Sequence, residues 1–153
     1  MSDPGKKPED GGTLKELRAL TRGEPIASFL NLKTLELSPG YARVSLKVLP
    51  EHMNFNKFIF GGIIAAVADQ AFALGANSLV IPSIASQFNI HFINAPGIGD
   101  ELIAESRVLK NGRRAGFSEI TVTDQDGKLI AKATGTTIPI SQVLPSSTSR
   151  KRN

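Results

Sequence analysis

Between Phe58 and Gly99 the chain carries one formally charged side chain, Asp69. Its neighbours are Ala, Val, Ile and Phe, Gly61-Gly62 opens the segment, and no proline interrupts it before Pro82. Such a run reads as one long helix, apolar on every face, and a helix of that kind is expected to be buried. At helical spacing Asp69 shares its face with Gly62, Ala65, Ala66, Phe72, Ala73 and Ala76, none of which can neutralise a carboxylate. A buried, unpaired acid is costly, so it finds donors elsewhere, stays protonated or does chemistry.

Period-two patterns surround this helix. Leu32 to Leu37 and Tyr41 to Leu49 read as strands joined at Ser38-Pro39-Gly40. In the second, Ala42, Val44, Leu46 and Val48 alternate with Tyr41, Arg43, Ser45 and Lys47, giving one core face and one wet face. After the helix, Ile84 to Ala95 is a third strand with Phe88, Ile90 and Phe92 on one face and Gln87, Asn89 and His91 on the other, broken by Pro96-Gly97. Glu101 to Lys110 and Arg113 to Thr123 follow, joined at Asn111-Gly112, a tight hairpin signal. Asp126-Gly127 then leads into a sixth strand, Lys128 to Pro139. Upstream, Thr13 is a plausible N-cap for a short amphipathic helix with Leu14, Leu17 and Leu20 at helical spacing. It ends at Gly23 and Pro25, before a second apolar piece, PIASFLNL. Hairpins force antiparallel pairing. The economical fold is therefore α+β, a curved antiparallel sheet of about six strands wrapped around one long central helix. One helix cannot cover so much apolar strand, so a homodimer extended through a sheet edge is expected.

The 153 residues suit a single domain spanning residues 13–140. Met1 to Gly12 is rich in Pro, Gly and charge and is expected to be disordered, and residues 141–153 form a polar basic tail. That tail supplies three of the four net positive charges, through Arg150, Lys151 and Arg152. No basic stripe or zinc spacing accompanies it, so nucleic acid is not expected as a partner. The absence of cysteine removes disulfide, thiolate and Cys-metal chemistry and agrees with a reducing cytoplasm. The N-terminus has no apolar signal core, and the apolar run before Asp69 is shorter than the roughly 20 residues of a membrane span.

The helix approach, Asn54, Lys57, Phe60, Gly61, Gly62 and then Asp69 eight residues after Gly61, resembles that of hotdog-fold acyl-CoA thioesterases. The likeness is to the branch of the phenylacetic-acid pathway and the thioesterase-superfamily members, and it extends over Pro25 to Ile140. Its motif is Asn-x-x-Gly-x-x-His-Gly-Gly with a following Asp. The resemblance implies the hotdog fold, hydrolysis of an acyl-coenzyme A, no metal or redox cofactor (coenzyme A being part of the substrate), and a dimer or dimer of dimers. It also implies a site in which Asp69 of one subunit meets the helix start of the other. Here Lys57 replaces the upstream Gly and Phe60 the His, and Ala85 stands where a strand hydroxyl is usual. Ser86 lies beside it on what strand alternation makes the opposite face. These departures argue against efficient turnover. They motivate a non-catalytic acyl-CoA-binding module as an alternative, beside a hotdog hydratase or dehydratase and a purely structural dimerisation domain.

Each candidate carries two readings. A helix N-terminus offers free N–H groups and partial positive charge, and Gly61-Gly62 would let a carbonyl reach them, or would merely permit tight packing. Asp69, roughly 12 Å further along at 1.5 Å per residue, is a general base raised by burial or a structural acid. Asn54 holds water or thioester, or caps a turn. Phe60, Phe72 and Ala85 are the acyl-side candidates, and Phe55 and Phe58 add to an apolar setting that core packing explains equally well. Lys110, Arg113 and Arg114 meet coenzyme A phosphates or are simply an exposed hairpin end. His52 and His91 read as satisfied or surface histidines.

Overall fold

The computed structural model describes residues 11–140. Of the segment 1–12 expected to be disordered only Gly11 and Gly12 are described, and there the first helix already begins, which corrects the expectation at those two residues. The basic tail at 141–153 lies outside the described residues. In chain order the elements are α1 (Gly12–Leu20), α2 (Pro25–Leu30), β1 (Lys33–Ser38), β2 (Tyr41–Lys47), a single helical turn (Pro50–His52), α3 (Gly61–Asn77), β3 (Ser83–Phe92), β4 (Glu101–Asn111), β5 (Gly116–Thr123) and β6 (Leu129–Pro139). All strands join one antiparallel sheet in the order β1-β2-β4-β5-β6-β3. Its concave face holds α3, and Val44, Leu46, Leu102, Ile120, Val122 and Ile130 close on Val67, Ala68, Ala71 and Phe72. Burying each of the larger side chains stabilises the fold by about 1.5–3 kcal/mol.

Alanine-rich composition favours α3, and its far end is tied on two sides. Ser78 Oγ donates to Gly75 O (2.6 Å) and accepts from Gly40 N (2.8 Å), fixing the helix end to the β1–β2 turn. Asn77 Nδ2 donates to Ala73 O and Ser83 O, and its Oδ1 accepts from Ser83 N, so β3 starts against the helix C-terminus. From there β3 runs back along α3. Its inner edge pairs with β6, and no described strand pairs with its outer edge. The other sheet edge, β1, carries Lys33 and Glu36, charges of the kind that discourage strand addition, whereas β3 carries no formal charge.

Four expectations change. The first helix begins at Gly12 with Gly11 as its cap, so Thr13 is a first-turn residue. The β4–β5 connection is wider than a two-residue hairpin: Asn111 pairs with Gly116, and Gly112 N donates to Ala115 O across a four-residue loop. In β3, Ala85 opposes Thr137 while Gln87 opposes Thr136, leaving Ser86 as an extra, bulged residue. Finally, α3 is not buried all round, because Gly62 and Asp69 are exposed.

Candidate active site

The approach to α3 is a tight turn built on Asn54. Its Oδ1 accepts from Asn56 N (2.9 Å) and Phe58 N (3.2 Å), while its backbone exchanges bonds with Phe58 O and Lys57 N. The carbonyl half of this amide is thus committed to the turn, and its Nδ2 has no partner among the described residues. Lys57 sits at φ +63°, a left-handed conformation that costs a side-chain-bearing residue about 1–2 kcal/mol. The turn delivers Phe60 as the N-cap of α3 with no side-chain capping bond. Ile63 N reaches back to Phe60 O, and among the described residues the N–H groups of Gly61 and Gly62 have no acceptor at the helix start.

Both glycines carry an aromatic ring. A Cβ on Gly62 would overlap Cε1 of Phe60 and lie 2.9 Å from its Cδ1, and one on Gly61 would lie 3.2 Å from Cζ of Phe92. The two rings are 60% and 53% exposed, so they are held against backbone and not sealed in the core. Phe92, with Ile59, Gly61, Ile64 and Ile93, also walls an apolar cavity of about 240 Å³ beside the helix start. The sequence places Phe92 only on a strand face. Its contact with Gly61 follows from the register of β3 against α3.

Asp69 projects from the open flank of α3. It lines a concavity of about 290 Å³ with Ala65, Ala66 and Phe88. The expected burial of this acid is therefore corrected: in the single chain its surface is open, since no described element covers that flank. The apolar atoms around it still strip part of its water shell and push its carboxyl above the ordinary value. No hydrogen bond or ion pair among the described residues reaches it. Of the helical companions expected beside it, Phe72 and Ala76 turn into the core, while Ala65, Ala66 and Ala73 stay at least partly open.

Phe72 is a core residue, 0% exposed, with its ring against Gly135 and tilted on Phe88 at 5.8 Å between centroids. It cannot touch substrate, which corrects its expected acyl-side role. Ala85 is exposed on β3, next to the bulged Ser86 whose Oγ donates to Thr136 O at 3.3 Å. Simple alternation does not govern Ser86, because the bulge shifts the register at that residue. Lys110, Arg113 and Arg114 line an open groove of about 450 Å³ with Phe117 at the β4–β5 loop. That loop lies at the far end of the sheet from Gly61. Gly116 pairs with Thr137, opposite Ala85, whereas Phe92 pairs with Ala131. The seven-residue step from Ala85 to Phe92 spans roughly 23 Å of strand. His52 Nδ1 accepts from Leu49 N, and His91 shares a small polar groove with Asn89, Glu119 and Lys132. Among the described residues no group of three or more His, Asp or Glu is placed to hold a metal ion, and no helix is long and apolar enough to cross a membrane.

One chain therefore spreads the candidates along its length: amides, Phe60 and Asn54 at one end, Asp69 midway, the cationic groove at the other. Comparison with known proteins bears on this arrangement. The family profile of the thioesterase superfamily matches residues 56–131. A putative esterase of Archaeoglobus fulgidus is 32% identical over 124 residues, covering 81% of this chain and 80% of that protein. The acyl-coenzyme A thioesterase PaaI of Escherichia coli is 28% identical over 113 residues, covering 74% and 81%. The solved structure of the E. coli PaaI protein superposes with a TM-score of 0.79 at 26% identity, over 83% of this chain and 92% of that one. The smu.793 protein of Streptococcus mutans, solved bound to acetyl CoA, matches with a TM-score of 0.69 at 28% identity, over 72% and 89%. With the sheet order, the central helix and these likenesses together, the chain belongs to the thioesterase superfamily and has its hotdog fold.

Proposed function

We propose that this protein hydrolyses the thioester of an acyl-coenzyme A to the free acid and coenzyme A, as a homodimer or dimer of dimers whose sites are shared between subunits. The observation that carries this reading is the Asp69 carboxylate. Among the described residues it has no partner, its carboxyl is raised by apolar neighbours, and it stands on an open flank beside a strand edge that no described strand pairs with. The names of the relatives, acyl-coenzyme A thioesterase and a protein bound to acetyl CoA, support the same substrate class.

Gly61 and Asp69 of one helix are too far apart to serve one carbonyl. Two antiparallel copies of α3 that bring Asp69 against the opposing Gly61-Gly62 cross at Ala65 and Ala66, midway between them, where small side chains allow close approach. The same two-fold axis turns the cationic groove of one copy toward the amide end of the other, where Lys110, Arg113 and Arg114 would meet coenzyme A phosphates. In the proposed reaction the acyl carbonyl oxygen accepts from the free amides of Gly61 and Gly62. Asp69 of the opposite subunit takes a proton from water as the water oxygen adds to the carbonyl carbon. The C–S bond then breaks, and the coenzyme A thiolate recovers the proton. Asn54 Nδ2 is available to hold the water or the thioester. The chain's own groups and water balance this step, and no metal or redox cofactor is invoked. The cysteine-free composition suits action in the reducing cytoplasm.

The test is thiol release from a panel of acyl-CoAs at neutral pH. The parent should turn over, and Asp69→Ala should lose about a hundredfold or more in kcat while binding coenzyme A. Parent-like turnover by Asp69→Ala removes the proposed base. A second reading, binding without hydrolysis, is favoured by the Phe60 ring lying on Gly62. It predicts saturable acyl-CoA affinity, unaffected by Asp69→Ala, with no thiol release from the parent.

A further inference from the structure

Phe60 is the N-cap of α3, and its ring is largely exposed at the helix start. Its ring fills the space beside Gly62 that a side chain there would need, and Phe92 does the same beside Gly61. The helix start that carries the free amides therefore has an aromatic ring beside each glycine. Phe92 belongs to the wall of the apolar cavity, whereas Phe60 does not line it and rests against Gly62. In the proposed site, a thioester whose carbonyl oxygen reaches these amides with its acyl group on the Gly62 side sets the carbon next to its carbonyl against the Phe60 ring. A methylene there can slide past a flat ring, while a methyl branch projects into it. Carbons further along the acyl group extend beyond this contact.

We propose that Phe60 is a specificity-determining residue that admits acyl groups unbranched at the carbon next to the carbonyl and rejects those branched there. This deepens the thioesterase reading and rests on it. The rejection is steric and local, so branching one carbon further along is tolerated.

The experiment compares kcat/KM for two isomer pairs of equal carbon count: butanoyl- against isobutanoyl-CoA, branched next to the carbonyl, and pentanoyl- against isovaleryl-CoA, branched one carbon beyond. The parent should favour butanoyl over isobutanoyl by about tenfold or more, in the range one misplaced methyl group commands. Pentanoyl and isovaleryl should be taken nearly alike. Phe60→Ala should bring the first ratio near unity by accelerating the isobutanoyl ester, with Phe60→Leu between. Because the Phe60 ring is largely exposed, both variants should keep the parent's circular dichroism and urea midpoint. A parent indifferent to the first pair, or a ratio unchanged in Phe60→Ala, overturns the proposal while leaving hydrolysis itself intact. If the parent hydrolyses none of the four esters, hydrolysis itself is judged on the wider acyl-CoA panel. The steric claim is then read from calorimetric Kd values of the matching thioether analogues, where equal affinities for the butyl and isobutyl forms overturn it and the same preference, lost in Phe60→Ala, supports it.

Discussion

Asp69 and Gly61 lie eight residues apart on one uninterrupted helix, about 12 Å at its rise per residue. Neither can move toward the other without breaking α3, so a site using both is built from two copies. Antiparallel helices that join them cross at Ala65 and Ala66. With alanine at the crossing the axes can close to about 8 Å, which puts facing Cα atoms within disulfide reach. The chain has no cysteine of its own. Ala65→Cys or Ala66→Cys should therefore give a covalent dimer on mild oxidation, seen on a non-reducing gel, whereas Ala73→Cys should stay uncrosslinked. Crosslinking at Ala73 alone would place the two-fold axis elsewhere.

The raised Asp69 carboxyl sets two pH dependences of opposite sign. As a base it works deprotonated, so kcat/KM should rise with pH through a midpoint above the ordinary 3.8. For stability, the folded chain holds this proton more tightly than the unfolded one. The contribution of Asp69 is thus most favourable below 3.8 and declines as pH rises through the elevated value. Asp69→Asn should abolish the acidic limb of activity and flatten that decline, measured as the difference between parent and variant urea midpoints across pH. An activity midpoint at or below 3.8 would contradict the apolar setting.

Lys57 occupies a conformation that glycine adopts without steric cost. Lys57→Gly should raise unfolding free energy by up to about 1 kcal/mol, the left-handed cost less the added freedom of the unfolded chain. Urea denaturation reads this directly. A destabilised variant would show that the Lys57 side chain contributes contacts outweighing its backbone strain.

A Cβ at position 135 would overlap the Phe72 ring, which is fully enclosed and has nowhere to go. Gly135→Ala should cost about 3 kcal/mol, and Phe72→Ala about 3–5 kcal/mol from the cavity left behind. Phe72→Leu should recover part of the loss in the Gly135→Ala background. It should also leave the KM for acyl-CoA unchanged, since this ring packs the core. A changed KM would return Phe72 to the substrate side.

Sheet, helix and strand order were legible because period-two and helical patterns are local, and so was the motif from Asn54 to Asp69. What escaped depends on contacts between distant segments. Asn111-Gly112 looks like a two-residue turn, yet the strands run on to pair Asn111 with Gly116. The bulge at Ser86 exists because β3 holds one residue more than β6 between Ala85 and Gln87, which no pattern within β3 announces. Asp69 reads as buried because every neighbour in sequence is apolar. Its exposure arises because α1 and Glu24 reach α3, Glu24 at Gln70, and leave the Asp69 side open within one chain. The paired glycines suggested room for a substrate, but the rings of Phe60 and Phe92 already rest on them.

The claim that each site takes its acid from one subunit and its amides from the other is tested most directly by subunit complementation. Asp69→Asn removes the base. Gly61→Pro removes one amide donor at a helix position that suits proline, after Phe60 at ψ 124°. Each variant alone should lose about a hundredfold or more in kcat. Unfolded together in equal amounts and refolded, they should regain about a quarter of parent activity, since half the dimers are mixed and each mixed dimer has one of its two sites intact. A refolded mixture no more active than the two variants assayed separately would contradict the shared site.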